Sequence, residues 1–444
     1  MTRLTTLQQT RFAGIPAEGP FQVDLLVRVQ APAGAAEAAA PRPPLHLAVV
    51  LDRSGSMGGE PLRQACRCAA AILDRMGPQD RLAIITYDNR ARVLRPCTPV
   101  SDPEAIRLAL AGVQAGGCTD LHLGWTTGIR ELRRAHQGEA ISRVLLLSDG
   151  QANEGIVAPE ELAAACALAQ AEGFSTSTYG LGSDFGEGVM TAMAKHGQGR
   201  SYYGETAEDL LDPFMEEFDL LSNLVARKLT VSFDTQQAFT LTQMNGYPVL
   251  ESGQWALPDL AYKSEAWALF RIQGTTAGKP GGTLDLGQIK VTWHDTKGKP
   301  ADALMATFSL PLLSEGDAIA LPKDSLVASR MSELRIGKLQ ELAWHAAAAN
   351  DWDLVRTYLD EMKALAAEHP WSKAVVDELA SLMESQEYHS LTKEFRYGSK
   401  ATSDRLTDVD EDLLRPSTSS YTRRKPRQGK PMPRPEQEPP KDVE

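Results

Sequence analysis

The run His46-Leu-Ala-Val-Val-Leu51 ends in Asp52-Arg-Ser-Gly-Ser-Met57, and this junction constrains the fold more than any other stretch of the chain. A short, almost wholly apolar run suits a strand covered on both faces, as in a parallel sheet. A polar loop follows, and then Pro61–Met76 places Leu62, Ala65, Ala69, Ile72, Leu73 and Met76 on one helical face. Pro61 suits the first turn of that helix. The alternation continues to about Asp212. Leu82–Tyr87, Val144–Leu147, Ser175–Leu181 and Ser201–Tyr203 read as strands. Helical spacing falls near 103–113, 121–136, 159–172, 187–196 and 206–224. Strand–helix alternation of this kind predicts an α/β unit with a parallel-type central sheet and helices on both faces.

The flanks follow other rules. Residues 21–30 alternate as a strand does, and 31–44 are rich in Ala and Pro, a linker composition. A lone strand is not stable, so this one is expected to join a sheet formed later in the chain. From Val225 onward Lys228–Phe233, Glu265–Ile272, Leu286–Trp293 and Ala306–Leu310 alternate between turn residues, which predicts a β-sandwich. Residues 324–390 return to helical spacing, interrupted at Asn350-Asp351 and again at Pro370. Beyond Thr392 the chain is polar and Pro-rich, and its composition predicts disorder. The expected divisions are 1–43 (strand and linker), 44–224 (α/β unit), 225–315 (sandwich), 324–391 (helices) and 392–444 (tail).

Composition narrows the function. Forty-six Lys and Arg against 58 Asp and Glu leave a net charge of −12, so non-specific binding to nucleic acid, which rests on phosphate neutralisation, is disfavoured. No stretch approaches the ~20 apolar residues of a membrane helix, and the first residues lack the apolar core of a signal peptide. Five cysteines, an odd number without paired metal-ligand spacing, point to a reducing cytoplasm.

Ligand sites of open parallel sheets lie outside the carboxyl ends of the strands. Three loops there carry oxygen ligands: Asp52-x-Ser54-x-Ser56, Gly116-Gly-Cys-Thr119 and Ser148-Asp149-Gly150. A set of carboxylates and hydroxyls without thiolate or imidazole suits Mg²⁺ or Mn²⁺ more than Zn²⁺. In this order and context the five residues resemble the metal-ion-dependent adhesion site of the von Willebrand factor A family, over about residues 44–212. The resemblance implies a Rossmann-like fold. It also implies direct metal contacts from Ser54 and Ser56, a direct or water-mediated one from Thr119, and contacts often through water from Asp52 and Asp149. It further implies a partner protein whose Asp or Glu completes the metal's shell, and a last helix, 206–224, that shifts with coordination. The wider layout is similar to that of bacterial intracellular proteins of the family.

Other motifs fail on spacing or place. Gly180-Leu-Gly-Ser-Asp-Phe-Gly186 imitates a dinucleotide fingerprint but is one residue too long and late in the unit. Gly274–Pro280 lacks the length and the Ser/Thr of a phosphate loop, and the histidines form no His-Glu-x-x-His. Asp120 reads as a helix cap. Cys66 and Cys68, two apart on one helix, do not face each other. The function that the resemblance implies is a metal-dependent protein-binding scaffold or adaptor without catalysis of its own. The alternative is a Mg²⁺-dependent accessory subunit or hydrolase acting with an ATPase, a chelatase or a kinase–phosphatase pair. Oligomeric state is left open.

Overall fold

The computed structural model describes residues 4–32, 42–136, 140–149, 152–181, 187–204, 210–235, 239–250, 252–296, 298–367 and 370–388, with single residues and pairs from 391 to 408. The apolar runs build a six-stranded sheet in the spatial order Ala91–Pro99, Arg81–Tyr87, Leu45–Asp52, Ile141–Ser148, Phe174–Leu181, Gln198–Gly204. Every pairing is parallel except that of Ala91–Pro99, an antiparallel edge strand. The pleat of Leu45–Asp52 explains the two-sided core. Leu45, Leu47, Val49 and Leu51 pack with Leu62, Ile72, Phe214 and Phe218 on one face. Ala48 and Val50 pack with Leu121, Trp125, Leu162 and Met190 on the other. Helices Glu60–Leu73, Pro103–Ala111 and Leu211–Ser222 thus cover the first face, and Leu121–Ala135, Pro159–Ala171 and Glu187–His196 the second.

Two further sheets face each other across a separate core containing Val27, Val231, Phe270, Ile289 and Phe308. One has the order Thr5–Thr10, Glu18–Gln30, Ser264–Ala277, Thr240–Gln243. The other runs Trp255–Ala256, Leu224–Asp234, Thr283–His294, Leu304–Leu313, Ile15–Pro16. The strand Glu18–Gln30 pairs antiparallel with Ser264–Ala277 from Glu18↔Ala277 to Gln30↔Glu265. Residues on both sides of the α/β unit therefore share one sheet, and only Asn223 separates the helix Leu211–Ser222 from the strand Leu224–Asp234.

Helix Ser325–Ala348 lays Val327 and Leu334 over Leu26, Trp267 and Leu269 on the outer side of the first of these sheets. Its far end joins Trp352–Ala366 and Pro370–Glu384 around Leu339, Val355, Leu359 and Leu379. The expectation of a disordered tail from 392 needs correction. Phe395 is fully buried in the helical core, and Thr407–Asp408 pairs with Ser264 and Glu265. An aromatic ring and two backbone ladder positions outweigh the polar composition there. Residues 409–444, where most of that expectation falls, lie outside the described residues. So do 206–209 of the expected 206–224 helix, and Gly182–Gly186 of the fingerprint-like stretch. No described helix is long and apolar enough to cross a membrane.

Candidate metal centre

Register brings three strand ends together. Asp52, Tyr87 and Ser148 each close their strand, Asp52 stands opposite Tyr87, and Leu51 stands opposite Leu147. Ser148 Oγ donates to Asp52 Oδ2 at 2.6 Å, and Tyr87 OH reaches the same oxygen at 3.5 Å. The backbone N–H of Ser54 donates to Asp52 Oδ1 at 2.8 Å, which curls the loop back over its own first residue. Asp52 is 0% exposed, and burial pushes its carboxyl above the usual range while these donors pull it back.

The hydroxyls continue the chain of contacts outward. Ser54 Oγ lies 3.1 Å from Ser56 Oγ, which donates to Asp149 Oδ1 at 3.0 Å. Asp149 is pushed up to about 6, by burial first and then by the negative charge of Asp52. Four of the five expected residues thus form one bonded series from the strand end to the surface. Thr119 joins through its loop. Gly116 N donates to Arg53 O at 2.8 Å, and Gly55 N to Gly117 O at 3.1 Å, so the 116–119 loop is stitched to the 53–55 loop. Thr119 is 2% exposed, with its N–H on Asn153 Oδ1 at 2.9 Å and its carbonyl accepting from Asn153 N and Glu154 N. Gly117 has φ +84°, and a Cβ there would stand 2.9 Å from Asp88 Cβ, so this close turn needs glycine.

Tyr87, Ser148, Asp88 and Asn153 are supporting residues that the sequence reading did not single out. Asp88 pairs with Arg53 at 2.5 Å and accepts Asp120 N at 3.0 Å through its carbonyl. Ser148 had a signal, since it adjoins Asp149 at a strand end. The others are set by register and loop closure. Asp120 caps the helix Leu121–Ala135, accepting from Leu123 N at 2.9 Å, and His122 lies 3.3 Å from Thr126 on that helix.

The donor set fits a hard divalent cation. No group of three or more His, Cys, Asp or Glu suited to a metal occurs among the described residues. The oxygens here are instead two carboxylates and neutral hydroxyls. Both carboxyls are held above their usual range by burial, and the guanidinium of Arg53 is engaged by Asp88. A cation at this face would relieve that charge.

The family model of the von Willebrand factor type A domain matches residues 46–216. This stretch is a von Willebrand factor A domain. The family consists mostly of protein-interaction modules. The uncharacterized protein sll0103 of Synechocystis is 31% identical over 41% of this chain and 43% of its own length. The uncharacterized Escherichia coli protein YfbK is 26% identical over 44% of this chain and 35% of its own. The chain therefore spans less than half the length of these curated relatives. Among solved structures, a von Willebrand factor type A protein from Catenulispora acidiphila is similar over 90% of this chain and 97% of that one, with a TM-score of 0.72 and 15% identity. The ArnB paralog VWA2 from Sulfolobus acidocaldarius covers 90% and 98%, with a TM-score of 0.61 and 16% identity. At those identities the likeness is one of fold, and it extends beyond the A domain to the sandwich and helices.

Proposed function

We propose that this chain is a metal-dependent protein-binding scaffold or adaptor, holding Mg²⁺ or Mn²⁺ on Asp52, Ser54, Ser56, Thr119 and Asp149. The observation that carries the reading is the bonded series Ser54–Ser56–Asp149, which converges from two loops with the Thr119 loop stitched alongside. When bound, the metal supplies an electrophilic centre that accepts a carboxylate oxygen from a partner's Asp or Glu. The chain's own residues orient the ligands. Ser148 and Tyr87 fix Asp52, Asn153 fixes Thr119, and the Arg53–Asp88 pair holds the loop between.

Binding rather than catalysis is supported by Asp52. Both of its oxygens are engaged by donors and it is fully buried, which suits a fixed ligand more than a base that exchanges protons. The cytoplasmic reading is supported by Cys66, Cys68, Cys97, Cys118 and Cys166, all free thiols.

Calorimetry with Mg²⁺ and Mn²⁺ tests the site. The full chain should bind one ion, and Asp52→Ala and Thr119→Ala should each weaken binding at least about tenfold, or 1.4 kcal/mol. Unchanged affinity in both variants refutes the ligand set. Phosphoester turnover abolished by Asp52→Ala would replace the binding reading with an enzymatic one.

A further inference from the structure

The A domain and the sandwich meet at a cleft of about 90 Å³, with Arg143, Lys195 and Arg200 on one wall and Tyr247, Leu257 and Asp259 on the other. Arg143 lies near the start of the strand Ile141–Ser148, and Arg200 near the start of Gln198–Gly204. The cleft thus sits at the amino end of the sheet, opposite the end that carries Asp52 and Asp149. Ligand sites are common where two structural units meet.

Charge is unbalanced there. The lining holds three cations and one carboxylate, Asp259. Behind it, Glu217 is already engaged by Arg143 Nη1, by Ser177 Oγ at 2.7 Å and by Tyr202 OH at 2.9 Å. Asp259 accepts Lys228 N at 3.0 Å with one oxygen and lies 3.8 Å from Arg143 Nη2 with the other. Outside the lining, the buried Arg227 is a further positive group, its charge disfavoured by burial and by Arg143 and favoured by Asp259. Glu216 also acts on Arg200. Arg143, Lys195, Arg200 and Arg227 together outnumber Glu216, Glu217 and Asp259. The remaining wall is apolar, with Tyr247 and Leu257 7% and 4% exposed.

We propose that this cleft binds a small organic anion, one carboxylate or phosphate group on a compact apolar body. The anionic group meets Lys195 and Arg200, since Glu217 and Ser175 already engage the buried Arg143, and the body rests on Tyr247 and Leu257. This site is independent of the metal face. Lys195 also stands in the last turn of the helix Glu187–His196, where a cation complements the helix dipole. A single charge-loss variant there would not separate ligand binding from a structural role, so the test uses two variants of opposite sign.

The full chain is titrated with benzoate and with phenyl phosphate in EDTA, which keeps the metal face out of the measurement. Saturable binding to one site is expected for at least one probe, with acetate weaker than benzoate because the body contributes; acetate binding as tightly as benzoate overturns the apolar half of the proposal. Lys195→Glu should weaken binding of the better probe about tenfold. Asp259→Asn keeps an oxygen for Lys228 N and removes a negative charge, so it should tighten binding severalfold. Preference for phenyl phosphate assigns phosphate as the anionic group, and preference for benzoate assigns carboxylate. Absence of saturable binding to both probes overturns the proposal. So does weakening in both variants, because a general disturbance of the cleft has one sign and an anion site has two.

Discussion

His46 carries a titratable ring into the strand Leu45–Asp52, where it is 1% exposed. Burial, reinforced by Arg81 and His136, lowers it from 6.5 to about 4. Its folded value lies below its unfolded one, so the unfolded chain takes up more protons between the two. Its contribution is complete above about pH 6.5 and is lost as pH falls through about 4, an effect of roughly 3 kcal/mol. His46→Gln should flatten the fall in urea midpoint over that window. At the metal face, Ser148→Ala removes a charge-assisted bond to buried Asp52 and should cost about 1.5–3 kcal/mol in urea unfolding. At this scale the sequence offered the ligand candidates because Asp52, Ser54, Ser56 and Asp149 stand at or just beyond the ends of apolar strands, and Thr119 follows two glycines just before a helix. It hid Tyr87, because nothing in Ile-Thr-Tyr-Asp says which strand end lies beside it. It also hid Arg143. The strand reads from Val144, yet it begins at Ile141, because Glu217 and Ser175 satisfy a buried guanidinium that composition places outside.

Elements add constraints that single residues do not carry. Gly124 lies in the helix Leu121–Ala135, where replacement by Ala ordinarily gains about 1 kcal/mol. Here a Cβ would stand 2.5 Å from Cγ and Cδ1 of Tyr87, the ring whose hydroxyl reaches Asp52. Overpacking of that kind costs about 1–3 kcal/mol, so Gly124→Ala should lower thermal stability rather than raise it. Asp120→Ala should lower it by about 1 kcal/mol through loss of the cap. The central strands and six flanking helices were legible from apolar periodicity. The edge strand Ala91–Pro99 was not, since its Arg92, Arg95 and Pro96 break alternation and suit a strand with one free side. Thr5–Thr10 was missed for the same reason, being polar on an outer edge.

Over the whole molecule, the sandwich depends on segments from both ends of the A domain. Removal of residues 1–43 would take away Thr5–Thr10 and Glu18–Gln30 and uncover the Ser264–Ala277 strand along its full length. Such a chain should aggregate, as light scattering of the purified protein would reveal, because a long apolar edge is left open. That the early strand needed a later sheet was legible from its isolation. Its register was not, because alternation fixes which side chains point inward but leaves the partner unspecified. The same pairing has a consequence in time. Gln30 is 235 residues from Glu265 along the chain, as the bond between their side chains records. At the ribosome's pace of about 5–20 residues per second, the early strand emerges roughly 10–50 s before its mate. The A domain has that interval to fold alone, while the strand waits beside it with its apolar side chains unclaimed.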